Sequence, residues 1–235
     1  MGAGLTPAPS YDRVGDLSRW LDPAQRALLA RGHRRVFFGG SGARELLDHA
    51  LRGAPLALRD LDLFVLDERA SPERVAHLAA EVAAVLGARV SREGVRTKRR
   101  ADPRRAGEAR DRHVIGYGAH LVARGRPVVS LGVVRSRDDL ALSGLFDIDT
   151  LLVKLDHTRT LSEVAARLGA HRARLVDDPH RGWDAWCARS PSVVHRAEVL
   201  RCATRHSIRV ARSLAKCSLR AVPDHVTRLY AELVV

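Results

Sequence analysis

The 235-residue chain has few cysteines, almost no lysine, few aromatic residues and no long apolar run. Its cysteines, Cys187, Cys202 and Cys217, are odd in number and far apart, which matches neither a zinc site nor a disulfide framework. In a reducing compartment they read as small buried or half-buried side chains. No stretch approaches the roughly 18 consecutive apolar residues of a membrane span. The opening MGAGLTPAPSYDR lacks the basic start and apolar centre of a secretory signal. A cytoplasmic protein with no membrane partner is therefore expected. There is no Walker phosphate loop and no Gly-x-Ser-x-Gly elbow, and no His-x-Glu or His-x-x-x-His spacing among the 11 histidines. These absences set aside P-loop nucleotide hydrolysis, elbow-type serine hydrolysis and the familiar histidine metal motifs.

What is present is positive charge on an otherwise ordinary globular composition, 46% hydrophobic and 29% charged. Of 40 basic residues only Lys98, Lys154 and Lys216 are lysine, leaving 37 arginines. Against 27 acids they give a net charge of +13. The resulting positive field suits polyanions: RNA, DNA or nucleotide phosphates. A chain of this length can bury about 70% of its unfolded surface, enough for one large domain or two small ones.

Residues 1–12 are rich in Gly and Pro and read as a flexible N-terminus. Asp22-Pro23 reads as a helix start, with Gly32 as the stop. Val36–Phe38 is a short apolar strand, followed by Gly39-Gly40-Ser41-Gly42 and a helical stretch closed by Gly53. Leu61–Leu66 reads as a second strand, Ser71-Pro72 as the cap of a helix ending at Gly87, and Ala88–Arg92 as a third strand. The basic stretch Arg96–Arg112 is expected to be a mobile loop. Strands follow at His113–Val122 and Pro127–Val134, joined by Arg124-Gly125-Arg126, and Phe146–Leu155 is one more apolar segment. Thr160-Leu161-Ser162-Glu163 has the form of a capping box, opening a helix that Gly169 ends. Beyond residue 170 strand signals stop. A long helix is expected from Ser190-Pro191 to about Lys216, with a last one capped by Asp224. The pattern predicts an α+β fold: an α/β domain over 13–160 and a helical C-terminal region over 161–235.

The chemistry concentrates at two places. A strand running into Gly39-Gly40-Ser41 lets backbone approach a ligand closely, and the helix that follows points free N–H groups at it, which suits phosphate. Nineteen residues beyond Ser41 comes Asp60, then Asp62. At i and i+2 of a strand the two carboxylates project from one face, about 7 Å apart at Cα, while Leu61 and Leu63 face the core. Carboxylates so paired can share Mg²⁺ and leave coordination places open for phosphate. Two metals about 3.5–4 Å apart would activate a hydroxyl and stabilise departing pyrophosphate.

Gly39-Gly40-Ser41 followed by Asp60-Leu61-Asp62, each at the edge of an apolar strand, resembles the signature of the DNA polymerase beta-like nucleotidyltransferase superfamily. Within it the chain is most similar to the head domain of tRNA nucleotidyltransferases and bacterial poly(A) polymerases. Gly39-Gly40-Ser41-Gly42-Ala43-Arg44-Glu45-Leu46-Leu47 echoes their Gly-Gly-x-Val-Arg-Asp-x-Leu-Leu motif with one residue too many before the Arg. Phe146-Asp147-Ile148-Asp149-Thr150-Leu151 is a fainter echo of their Arg-Asp-Phe-Thr-Ile-Asn-Ala segment. The resemblance implies a mixed sheet flanked by helices and a metal-dependent transfer of a nucleoside monophosphate from a triphosphate such as ATP or CTP. The acceptor it implies is a hydroxyl of an RNA 3′ end, a small molecule or a protein. It implies Asp60 and Asp62 as catalytic metal ligands, and Gly39, Gly40, Ser41 and Arg44 as contacts to the triphosphate. The family also needs a third carboxylate from a later strand. Ser130 stands where it would be sought, and Asp147 and Asp149, again at i and i+2, are the best substitutes. Without one, the expectation becomes a degenerate module that binds RNA or a partner protein, as in a toxin–antitoxin pair.

Toward the C-terminus, Arg201, Arg205, Arg209, Arg212 and Lys216 recur at helical spacing on one face. Such a stripe can follow a phosphate backbone or simply be solvated. Trp183 and Trp186 read as packing residues, and His113, His120 and His195 as structural histidines. The family's Glu-Asp-x-x-Arg base-reading motif is absent, and Asp177-Asp178-Pro179-His180-Arg181 is only a loose likeness.

Overall fold

The computed structural model of the protein describes residues 13–56, 58, 61–101, 112–124, 126–141, 144, 146–155 and 159–194. Eight strands form one mixed sheet: β1 (Val36–Gly39), β2 (Asp62–Leu66), β3 (Arg89–Val90), β4 (Arg96–Ala101), β5 (Arg112–Ala123), β6 (Arg126–Val134), β7 (Leu152–Lys154) and β8 (Val176–Asp177). Their order is β3-β5-β6-β2-β1-β7-β8, with β4 also paired to β5. Every pairing is antiparallel except β2 with β6. The helices are α1 (Val14–Ala30), α2 (Gly40–Arg52), α3 (Pro72–Val85), α4 (Arg137–Ala141), α5 (Leu161–Leu175) and α6 (Gly182–Ala188), with a 3-10 turn at Asp147–Asp149. The α+β class and the flanked mixed sheet are as the sequence predicts.

Alternation along the strands divides the sheet into two unlike faces. Phe38, Leu61, Leu63, Val65, Ala119, Leu121, Leu131 and Val133 face the main core. Over them lie the apolar stripes of the helices: Leu17, Leu21 and Leu28 of α1, Leu46 and Leu47 of α2, Val75, Leu78 and Val82 of α3, and Leu161, Val164 and Leu168 of α5. Each fully buried leucine contributes about 1.5–3 kcal/mol relative to leaving it exposed. Thus α5, though it begins beyond residue 160, packs into the same core as α1 and α2. Among the described residues the opposite face carries a small apolar cluster, Phe37, Phe64, Val134, Leu140 and Leu152.

Several boundaries differ from the sequence reading for identifiable reasons. Arg96–Ala101 is a strand, not a loop: its backbone pairs with β5, while Arg96 and Arg99 stay exposed. Charged side chains of this kind are normal at a sheet edge. The α1 helix starts at Val14 and runs through Pro23. Asp22 therefore caps not its own helix but another, its buried carboxylate accepting the Leu161 N–H at 2.8 Å. Thr160 and Glu163 complete the expected capping box of α5, so three donors at that helix start are satisfied from two elements. The helix continues past Gly169 to Leu175, kinked at His171 (φ −129°). After it, β8 adds a two-residue strand beside β7 where no strand was expected. Residues 190–194 are not helical, and Val193 instead bridges to Phe146. The N-terminal residues 1–12 and the rest of the anticipated C-terminal helices lie outside the described residues.

Asp22→Ala is expected to cost about 1–3 kcal/mol, the range for a buried hydrogen bond to a charged group whose donor is left unmatched. Urea unfolding measures it, and an unchanged midpoint would show that Leu161 finds another acceptor.

Candidate active site

The site begins where β1 becomes α2. Gly39 closes β1, in register with Asp62 on one side and Leu152 on the other. Gly40 opens the helix with φ +63°, and a Cβ there would lie 2.7 Å from Asp62 Oδ2. Only glycine meets both demands, a left-handed backbone and a carboxylate resting against it. Ser41 follows, half-buried in the first turn. The α2 N-terminus has no side-chain cap and no acid in its first turn, so the partial positive charge of its free N–H groups is left for Asp62 or a ligand. Asp62 opens β2, and alternation turns it away from the core that Leu61 and Leu63 enter. The structure thus brings Gly39, Gly40 and Asp62 together. Asp60 lies outside the described residues.

The same row continues across the face opposite the main core. Ser130 of β6 is in register with Asp62, and His120 of β5 with Ser130. His120 Nδ1 and Ser130 Oγ are 2.8 Å apart. One step along, the Lys98 ammonium sits 4.9 Å from the centre of the Phe64 ring. A Cβ on Gly132 would come within 2.9 Å of Lys98 Nζ, so the glycine leaves a lane for the lysine. Sequence reasoning missed His120 as a neighbour of this row. Counting outward from the Ala123–Arg126 pair would set it opposite Val129; the register shift between Leu121 and Val122 brings it to Ser130, and no sequence signal marks that shift.

Arg44 and the two later acids form a separate assembly. Arg44 is fully buried, its side chain 0% exposed. Its Nη1 donates to the Ile148 carbonyl and to Asp149 Oδ1, both at 3.2 Å. Its guanidinium lies 4.7 Å from the centre of the Trp186 ring. Asp147 and Asp149 belong to the 3-10 turn rather than a strand. At about three residues per turn, positions i and i+2 diverge instead of projecting together. Asp147 accepts the N–H of Ile148 at 2.7 Å and that of Ser192 at 3.0 Å. Burial pushes the Asp147 carboxyl up to about 6, against the pull of the Ser192 and Ile148 N–H groups, with the Asp149 and Asp178 charges adding to the rise.

The remaining candidates fall elsewhere. Trp183 and Trp186 are buried in the main core, as expected of packing residues. Asp178 caps α6, accepting from the N–H groups of Gly182 and Trp183, and Asp177 pairs with Arg137. Among the described residues no group of three or more His, Cys, Asp or Glu side chains could hold a metal ion. None of the described helices is long and apolar enough to cross a membrane. Arg201, Arg205, Arg209, Arg212 and Lys216 lie outside the described residues, as do Cys202, Cys217 and His195.

Comparison with models of known protein families found no match, and neither did comparison with curated protein sequences. Among solved structures the chain is similar to a CCA-adding enzyme in its apo form, with 16% sequence identity and a TM-score of 0.42. The likeness covers 81% of this chain but only 35% of that one.

Two measurements follow from this geometry. Gly40→Ala and Gly53→Ala each force a side chain into a left-handed backbone, costing about 1–2 kcal/mol. Nothing lies within 4 Å of a Cβ at Gly53 (φ +66°), whereas Gly40 faces Asp62. The excess loss of Gly40→Ala over Gly53→Ala in urea unfolding therefore reads the Asp62 contact, and equal losses would refute it. For Asp147, a folded-state carboxyl titrating near 6 holds its proton more tightly than the unfolded chain does. Its contribution to stability is full below about pH 4 and is lost as pH rises through about 6. In Asp147→Asn the fall in stability over that window should flatten, and unfolding midpoints across the pH series would show whether it does.

Proposed function

We propose that the protein is a nucleotidyltransferase that moves a nucleoside monophosphate from a nucleoside triphosphate to an acceptor hydroxyl, with release of pyrophosphate. The observation that carries this reading is Asp62, held against the left-handed Gly40 at an uncapped helix start on the sheet face opposite the main core. A carboxylate beside free backbone N–H groups is the pairing needed to bind a metal-chelated phosphate. Hard carboxylate oxygens suit Mg²⁺, and Asp62 with Asp60 would hold it. When bound, the metal would supply charge neutralisation at the transferring phosphoryl group. Gly39, Gly40 and Ser41 would cradle the triphosphate of ATP or CTP through backbone and hydroxyl contacts. The net charge of +13 favours a polyanionic acceptor, so an RNA 3′ end leads over a small molecule or a protein side chain. If Arg201, Arg205, Arg209, Arg212 and Lys216 share a helix face, they would extend that contact. A cytoplasmic location is consistent with this role.

The placement of Arg44, Asp147 and Asp149 supports a structural role for all three. Arg44 is enclosed with Asp149 and Trp186, and Asp147 is engaged by two backbone donors. With Ser130 beside Asp62 where a carboxylate would be sought, one observation favours the second reading. In that reading the fold is a degenerate nucleotidyltransferase-like module that binds RNA or a partner protein, as in a toxin–antitoxin pair.

Incubation of the full chain with Mg²⁺, α-labelled nucleoside triphosphates and total RNA or cell extract separates the two. Label incorporation in wild type, lost at least 100-fold in Asp60→Asn and in Asp62→Asn with the fold intact, is the expected outcome. Wild-type incorporation by either variant would remove that aspartate from the chemistry. No incorporation into any species would leave the binding module.

A further inference from the structure

The positive charge of the chain is concentrated along one border of the sheet. β3 and β4 both pair with β5, end to end on the same side, and among the described residues no strand pairs with their outer edge. From Ala88 to Ala101 the sequence carries six cations, Arg89, Arg92, Arg96, Lys98, Arg99 and Arg100, against one acid, Glu93. Arg89, Arg92, Arg96 and Arg99 are exposed, and Glu93 is engaged in an ion pair with Arg96. The pairing runs along β5 from Val122 to Arg112, so the border is roughly 30 Å long at about 3.3 Å per residue. The far border of the sheet is unlike it: β8 carries Asp177, paired with Arg137, and Asp178 follows as the cap of α6.

Charge at a sheet edge also prevents edge-to-edge association, but a few residues of either sign achieve that. A run in which cations outnumber acids six to one is what a phosphate backbone requires and edge protection does not. The border also meets the row that holds Asp62. That row passes from Asp62 to Ser130 to His120, and the His120 carbonyl accepts the Ser91 N–H at 2.8 Å, in the link between β3 and β4. Asp62 is thus three strand spacings from the middle of the border, about 14 Å.

From this arrangement we infer that the β3–β4 border is the track of an RNA strand, held through its phosphates with its 3′ end directed toward Asp62. The inference rests on the RNA acceptor of the nucleotidyltransferase reading. A single line of cations fits one backbone, whereas a duplex presents two. No Phe, Tyr or Trp occurs between Ala88 and Ala101, so the border offers no stacking platform and its contact is independent of base sequence.

The test measures binding of the full chain to a short unstructured RNA by fluorescence anisotropy, between about 50 and 200 mM salt, without Mg²⁺ or nucleotide. Arg89→Glu/Arg92→Glu should weaken binding about tenfold or more. The slope of log affinity against log salt should fall by roughly 1.4, two single-strand phosphate contacts at about 0.7 each. Glutamate guards a sheet edge as arginine does, so the urea midpoint should hold. Arg89→Gln/Arg92→Gln should give the same change of slope with a smaller loss. Glu93→Gln, which removes the one acid and releases Arg96, should tighten binding about twofold. Arg172→Glu/Arg174→Glu makes the same change of charge at exposed positions of α5, the helix beside β8, and should leave the slope unchanged. An equal loss in that pair, or wild-type affinity and slope in Arg89→Glu/Arg92→Glu, would overturn the track. Displacement of the RNA by duplex DNA or polyglutamate at matched charge concentration would overturn RNA as its occupant. Label transfer with Mg²⁺ and α-labelled nucleotide is read separately. No label in any species beside border-dependent RNA binding refutes transfer and supports the track; labelled RNA beside border-independent binding refutes the track and supports transfer.

Discussion

The interaction on which this site depends is a buried cation. Arg44 places a guanidinium with no solvent access at the start of α2, one turn after the glycines. Burying an unpaired charge costs several kcal/mol. The structure offsets that with the Asp149 carboxylate, the Ile148 carbonyl and the face of Trp186. Those partners come from the 3-10 turn and from α6, distant in sequence, so the cation can be satisfied only when all three elements are in place. Because α2 is fixed at its first turn, Gly40 is fixed too, and with it the contact to Asp62. The same side chain that resembles a phosphate ligand in the sequence works as an internal fastener. Its Nε and Nη2 have no hydrogen-bond partner among the described residues, which leaves Trp186 to shield them.

How much of this was legible in the sequence depends on the range of the signals. Val36–Phe38, Gly39-Gly40, the helix after them and the strand at Asp62 are written in adjacent residues: an apolar run, a turn signal, a 3.6 period, a Gly53 stop. The Ser71-Pro72 cap and the Thr160–Glu163 capping box are equally local, and both form. What was not legible is pairing. Arg96–Ala101 has no apolar alternation, and only its ladder with β5 makes it a strand. Asp147 and Asp149 have the spacing of Asp60 and Asp62, yet a 3-10 turn sends them apart. Asp22 has the chemistry of an N-cap and acts as one, but for a helix that begins 139 residues later. The His120–Ser130 contact exists only through hairpin register. Composition and spacing say what a residue can do; the sheet decides for whom it does it.

The two faces of the sheet express the same division of labour. The helix-covered face is uniformly apolar and carries the stability. Among the described residues the other face carries glycines at 118 and 132, one small cluster around Phe64, and a line of polar residues from Asp62 to His120. A sheet that put large apolar residues on both sides would hold together better and have nowhere to bind a ligand. Lys98 shows a compromise: its ammonium lies over the face of Phe64, so a charge is accommodated beside the one apolar cluster of that face.

The parallel pairing of β2 with β6 has a kinetic consequence. Asp62 and Ser130 are 68 positions apart in the chain (130 minus 62), and the β1 position beside them, Gly39, pairs with Leu152 still further on. Contacts of such sequence separation form late, because the loops between them must first be ordered. On a ribosome the N-terminal helices and the first strand emerge well before β6 and β7 exist. The row that includes Asp62 is therefore assembled near the end of folding, and a chain released early would carry the whole glycine turn and both aspartates yet lack the strands that complete the row.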